Sequence, residues 1–132
     1  SFYYAYSSYS ASVAPIRLSR LTKDKIIDVT HSPQYQEYLR EDLLSTEKAA
    51  QVQSELWRSN GFLAGWVASK ALVNEFDDAW SRMLTLYDRN DDWSLDRCRV
   101  ALVGYSCPAG EEYKVTFPEA LRDHLSRAGY LR

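Results

Sequence analysis

The segment DRNDDWSLD (88–96) is the stretch of the sequence whose residue types best suit metal binding. Its first, third, fifth, seventh and ninth positions carry side-chain oxygens, which is the spacing of an EF-hand calcium loop. The pattern then fails, because Trp93 stands at the sixth position, where glycine permits the sharp turn, and Arg99 stands at the twelfth, where a bidentate glutamate closes the site. We therefore interpret the segment as a solvated acidic loop and predict no metal site and no cofactor.

The two histidines and two cysteines are the other candidate ligands and nucleophiles. His31 and His124 are far in sequence from Cys98 and Cys107, and no CxxC or HxxxH spacing is present, so a zinc site is not predicted. Two cysteines are too few to predict a disulfide scaffold, and we expect Cys98 to be a small buried side chain in an apolar strand. The sequence also contains no serine nucleophile elbow and no phosphate-binding loop. We predict that the protein is not an enzyme, with a site assembled from these four dispersed residues as an alternative.

The first ten residues, SFYYAYSSYS, form an aromatic and uncharged segment without helical periodicity. Tyrosine combines an apolar body with a polar tip, which suits contact surfaces. Residues 1–23 contain no acidic side chain, whereas residues 75–96 contain seven, so a basic front could contact an acidic middle in a neighbouring subunit. We predict an extended arm that packs on its own helices or on a partner. The predicted interaction residues are Phe2, Tyr3, Tyr4, Tyr6, Tyr9, Arg17 and Arg20.

Helical periodicity dominates the middle of the sequence. Thr22 is a candidate cap for a short helix at 23–30, Ser32 and Pro33 predict a helix over 33–44, and Ser45 or Thr46 predicts the start of the next. The clearest period has alternating spacings of 4 and 3 and joins Phe62, Trp66, Ser69, Val73, Phe76, Trp80, Met83 and Tyr87. We interpret this aromatic helix face as a core face, on one helix or two in phase, with a partner-binding face as the alternative.

The C-terminal third changes character. RCRVALVGYS (97–106) and EEYKVTF (111–117), separated by the turn signal CPAG, predict a β-hairpin, and Pro118 predicts the start of a last helix with Gly129 after its end. The predicted fold class is mostly α, or α+β: a bundle of four to six helices with one C-terminal hairpin. We expect residues 1–132 to form one domain, with an arm at 1–21, a helical core at 22–88, the hairpin at 97–117 and a terminal helix at 118–129.

Composition and charge restrict the function. A net charge of −2 gives no general attraction to nucleic acids or anionic membranes, and no run approaches the ~20 apolar residues of a membrane span. We predict a small helical interaction or assembly protein that binds itself or a protein partner through the arm and the aromatic helix face. The alternatives are a nucleic-acid-binding accessory protein that uses Arg17, Arg20, Lys23 and Lys25, and a small enzyme with a dispersed site. We expect an intracellular, cytoplasmic location without membrane contact.

Overall fold

The architecture is known from a computed structural model, which describes residues 2, 5–7 and 12–131. Within these residues the chain forms four α-helices, two 3-10 helices and two antiparallel two-stranded hairpins, which confirms the α+β class. The elements are β1 (Ser19–Thr22), β2 (Lys25–Asp28), a 3-10 turn (Pro33–Tyr35), α1 (Gln36–Val52), a second 3-10 turn (Ser54–Arg58), α2 (Asn60–Leu72), α3 (Phe76–Leu86), β3 (Asp96–Cys98), β4 (Glu112–Lys114) and α4 (Phe117–Arg127). No helix in the described part of the chain is long and apolar enough to cross a membrane.

Helix α2 is the centre of the core. Every one of its residues from Asn60 to Leu72 is buried, as expected for a helix that other elements surround. The hydroxyl of Ser59 caps its first turn by accepting a hydrogen bond from the backbone nitrogen of Phe62. The flanking helices each contribute buried apolar side chains, among them Leu39 and Leu43 of α1, Ala79 and Met83 of α3, and Leu121 and Leu125 of α4.

The aromatic helix face divides into two helices and faces inward. Helix α2 ends at Leu72, Asn74 adopts a left-handed conformation with φ 63°, and α3 begins at Phe76. The side chains of Phe62, Trp66, Val73 and Met83 are buried, and the remaining aromatic members of the face are half-buried. The periodicity is therefore accounted for by the chain's own core.

The predicted break near Ser45 is wrong, because α1 continues through this position to Val52. Its buried residues Leu39, Leu43, Thr46 and Ala50 recur at spacings of four, three and four, so one uninterrupted buried stripe faces α2. Ser and Thr favour helix starts only when the backbone there has no better hydrogen-bond partner. Here the packed stripe outweighs that local preference.

The predicted helix at 23–30 is also wrong, since this segment contains strand β2. It pairs with β1 in the register Ser19 to Asp28 and Thr22 to Lys25. The β-branched residues Ile26, Ile27, Val29 and Thr30 favour an extended backbone over a helix. The fully buried Thr30 closes the base of the hairpin, because its hydroxyl oxygen accepts a 2.8 Å hydrogen bond from the backbone nitrogen of Leu18.

The C-terminal hairpin pairs β3 with β4, with Cys98 opposite Glu112. Cys98 is joined to Cys107 by a disulfide whose Cα atoms are 5.8 Å apart, so the expectation that Cys98 is a small buried thiol is wrong. The chain turns back after β3 and brings the two sulfurs together, which is geometry that two isolated cysteines do not reveal in sequence. Helix α4 follows, with a capping box between Thr116 and Glu119 at its first turn.

Candidate functional site

The N-terminal arm packs against α4 of its own chain. The side chains of Phe2 and Tyr6 are 3% and 5% exposed. The ring of Phe2 stacks on His124 with ring centroids 4.5 Å apart, and it meets Tyr130 edge-on at 5.6 Å. Tyr6 meets Phe117 edge-on at 5.1 Å. These two predicted interaction residues therefore belong to the core and are not exposed to a partner.

A polar contact lies within this aromatic cluster. The hydroxyl of Tyr6 donates a hydrogen bond to the carbonyl of Ala120 at 3.3 Å and shares a 3.0 Å hydrogen bond with Nδ1 of His124. Burial raises the pKa of Tyr6 to about 12 and lowers the pKa of His124, because both environments disfavour charge. Both groups are therefore neutral near neutral pH, which suits a structural contact better than acid–base catalysis.

The arm also crosses the surface of α2 at its two glycines. The backbone nitrogen of Gly61 donates a 2.8 Å hydrogen bond to the hydroxyl of Ser7. A Cβ on Gly65 would lie 2.2 Å from the carbonyl oxygen of Val13, which is far inside van der Waals contact. Gly61 and Gly65 form a GxxxG pair, and glycine allows another backbone to approach closely because it has no side chain. The approach exists, and its partner is the extended arm.

The other predicted interaction residues have different surroundings. Arg17 forms an ion pair with Asp28, donates to the carbonyl of Ala128 at 3.2 Å and lies 4.8 Å from the ring centroid of Tyr130. Hydrogen bonds from Thr30, and then from Arg17, lower the pKa of Asp28 to about 2, so the pair stays charged. Arg20 is exposed on β1. The predicted residues Tyr3, Tyr4 and Tyr9 lie outside the residues that the structure describes.

Acidification is expected to weaken this arm contact through His124. Its folded-state pKa is lower than the usual 6.5, so the unfolded chain takes up a proton that the folded chain excludes. The free energy of unfolding should therefore fall as the pH falls below 6.5 and level off below the folded-state pKa. Urea denaturation between about pH 7 and about pH 5 measures this slope.

Two single variants identify the histidine responsible. His124→Gln should flatten the pH dependence, whereas His31→Gln should retain it, since His31 instead places its Nε2 atom 2.9 Å from the carbonyl of Gly129. An equal slope in both variants would contradict the assignment to His124.

A second feature, which the sequence did not predict, is an apolar loop closed by the disulfide. We call residues 99–106, held between Cys98 and Cys107, the disulfide loop. Its tip turns at Gly104, where φ is 65°, and is held by mutual backbone hydrogen bonds between Val103 and Ser106. The loop exposes four large apolar side chains: Val100 (47%), Leu102 (53%), Val103 (74%) and Tyr105 (103%). The sequence predicted a strand here, and the only signal for a loop was a glycine between two cysteines.

The residues considered for catalysis or metal binding are engaged in other contacts. The disulfide occupies both sulfurs, so neither cysteine is a nucleophile in this state. In the acidic loop, Asp92 and Asp96 form ion pairs with Lys114, which attaches the loop to β4. Among the described residues, no group of three or more His, Cys, Asp or Glu side chains is placed to bind a metal ion.

Comparison with known proteins gives the family. A model of the sll0997 C-terminal domain matches residues 35–129. The chain belongs to the sll0997 C-terminal domain family. It is 42% identical over 131 residues to the Uncharacterized protein y4bJ of Sinorhizobium fredii, and 38% identical over 131 residues to the Probable thylakoid lumen protein sll0997 of Synechocystis sp.. These alignments include 99% and 98% of this chain. No solved structure matches it.

The relatives are much longer than this chain, which spans 21% of the first and 38% of the second. The name of the Synechocystis relative contradicts the intracellular, cytoplasmic location that we expected, and that expectation is withdrawn. Composition and net charge indicate solubility and non-specific attraction, but they do not indicate the compartment in which a protein resides. The disulfide of this family member would have been the informative sign, because disulfides persist mainly in oxidising compartments.

Proposed function

We propose that this member of the sll0997 C-terminal domain family is a non-enzymatic protein-interaction module that binds a partner through its disulfide loop. The observation that supports this most directly is the exposure of Val100, Leu102, Val103 and Tyr105 on one short loop. Contiguous exposed apolar side chains are typical of interaction sites, since they gain from leaving water. Tyrosine is enriched among the residues that dominate binding energy, and Tyr105 is fully exposed.

The loop is also ordered before a partner arrives. The disulfide closes its base, and a backbone hydrogen bond from Arg99 to Glu111 continues the β3–β4 pairing past Cys98. A loop held in its bound conformation loses less conformational entropy on association, which raises affinity without additional contact area. In this proposal α1, α3 and α4 form a helical bundle around α2, and this bundle is the rigid body that carries the loop.

The charges of the loop indicate the chemistry of the partner. Arg99 is the only charged residue among 99–106, and its guanidinium lies 4.9 Å from the ring centroid of Tyr113 beside the loop. The complementary surface is an apolar cleft of a protein with a carboxylate at its rim. Nucleic acid is a weaker candidate, because Asp28 neutralises Arg17 within the basic front.

A matched pair of valine variants tests the loop. Val103 and Val52 are both exposed, at 74% and 84%, but Val52 ends α1 and is not part of the disulfide loop. Peptides that bind the wild-type chain would be selected from a phage-displayed random library and titrated by fluorescence anisotropy. We expect Val103→Ser to weaken the selected peptides about tenfold, and Val52→Ser to leave them unchanged. Peptides indifferent to Val103→Ser, or equally weakened by Val52→Ser, would contradict the proposal.

A further inference from the structure

A depression of about 520 Å³ lies where the arm, β3 and α4 meet. Side chains from separate parts of the sequence converge on it: Tyr6 from the arm, Arg97 from β3, and His124 and Arg127 from α4. Its apolar wall consists of three alanine side chains, at positions 5, 120 and 128. Small-molecule sites commonly have this size and combine an apolar wall with a few converging polar groups.

The cationic groups outnumber the anionic one in this depression. Arg97 and Arg127 line it together with Asp123, which gives a formal excess of one positive charge in a chain whose net charge is −2. Asp123 pairs with Nε of Arg127 at 3.1 Å, so its charge is already compensated by the neighbouring turn of α4. Among the described residues that line the depression, the guanidinium of Arg97 is the charge without an ion-pair partner.

The guanidinium of Arg97 is held in a fixed orientation. Its Nη1 atom donates hydrogen bonds to the carbonyl oxygens of Ser94 at 2.8 Å and of Asp96 at 2.9 Å. Among the described residues, these two hydrogen bonds use only Nη1, so the donors at Nη2 and Nε are able to bind a ligand. A planar guanidinium with two donors on one edge matches the oxygens of a carboxylate or phosphate.

Tyr6 and His124 complete the polar lining. They are hydrogen-bonded to each other at 3.0 Å, so the phenol and the imidazole form one connected polar group at the wall of the depression. Burial has the largest effect and raises the pKa of Tyr6, while Arg97 lowers this pKa and Asp123 raises it further, which places both charges within electrostatic reach of the phenol. An anion bound at Arg97 would therefore also interact with this pair and with the arm.

We propose that this depression is a binding site for a small organic anion that carries a carboxylate or a phosphate group. Arg97 holds the anionic group, Arg127 adds a second positive charge, and the alanine wall contacts the remainder of the ligand. The site adjoins the base of the disulfide loop, because Arg97 also borders the groove that Val100, Leu102 and Tyr105 line. Because Tyr6 belongs to the arm, a bound anion also stabilises the arm on α4.

The two histidines supply a test with an internal control. The imidazole resonances of His124 and His31 would be followed by NMR while inorganic phosphate and, separately, succinate are added at constant ionic strength. We expect a saturable shift of His124 without a matching shift of His31, which lies at Gly129 and does not line the depression. An anion stabilises the imidazolium, so binding should also strengthen as the pH falls toward the folded-state pKa of His124, which is lower than the usual 6.5.

Charge-matched variants decide whether Arg97 holds the anion. Arg97→Gln should weaken binding about tenfold, which corresponds to the loss of a charge-assisted hydrogen bond, whereas Arg20→Gln on the exposed strand β1 should not. A response to only one of the two anions identifies the anionic group of the ligand. The proposal is overturned if His124 does not respond to either anion, if both histidines shift together, or if Arg97→Gln binds as tightly as Arg20→Gln.

Discussion

Replacing Gly65 with alanine is expected to lower the free energy of unfolding by about 2–3 kcal/mol, as measured by urea denaturation. In an ordinary helix interior the same change stabilises by about 1 kcal/mol, because alanine has the higher helix propensity. Here the new Cβ would lie 2.2 Å from the carbonyl oxygen and 2.4 Å from Cγ1 of Val13. The carbonyl oxygen is part of the backbone, so either the arm moves off α2 or the helix distorts.

Whether Gly65→Ala lowers or raises the free energy of unfolding shows whether the arm lies over α2. Two further variants provide a scale for the size of this effect. Gly61→Ala should cost less, because its Cβ would meet side-chain atoms of Ser7 and Ser12, the nearest at 2.7 Å, and a side chain can move more easily than a backbone. Ser45→Ala on the exposed face of α1 should change stability by less than about 0.5 kcal/mol. A stabilised Gly65→Ala variant would show that the arm does not lie over α2 in solution.

The fold class and the helix faces could be predicted from sequence because they follow local periodicity. The spacing from Phe62 to Tyr87 predicted a core face, and the structure places it against the chain's own interior. The segment 23–30 contains a strand and not the predicted helix, because its β-branched residues favour an extended backbone more strongly than a cap at Thr22 favours a helix. At Ser45 the cause is different, because tertiary packing of α1 outweighs the local preference of serine for a helix start.

The candidate sites were harder to predict, because they depend on contacts between distant parts of the sequence. Tyr6 and His124 are 118 positions apart, and the GxxxG pair gave no indication that its partner is an extended arm. Arg97 gives no signal of a site in the sequence, because it belongs to an apolar segment and the cationic residue beside it in the depression, Arg127, is on another element. The apolar residues of the disulfide loop predict a strand, and the sequence does not indicate that Val103 and Tyr105 are exposed.

Removing the disulfide is expected to lower the free energy of unfolding by about 2–3 kcal/mol, comparable with the effect at Gly65. The bridge joins cysteines nine positions apart, so it restricts a short segment of the unfolded chain, and the loop-closure entropy sets this magnitude. The double variant Cys98→Ala with Cys107→Ala would be compared with the wild type in urea, without reductant. Wild-type protein measured in the presence of reductant should match the double variant.

The same variant separates the stability of the domain from the order of the disulfide loop. Protection of the Val103 and Ser106 amides against hydrogen exchange should fall in the double variant, even under conditions where the core stays folded. The reason is that the disulfide no longer closes the base of the loop that contains their mutual hydrogen bonds. Amides of α2 should lose protection only by the amount of the global change. Unchanged protection at Val103 and Ser106 would show that the β3–β4 pairing alone orders the loop. If protection falls and loop-binding peptides weaken by more than the Val103→Ser effect, preorganisation by the disulfide contributes to affinity beyond any one apolar side chain.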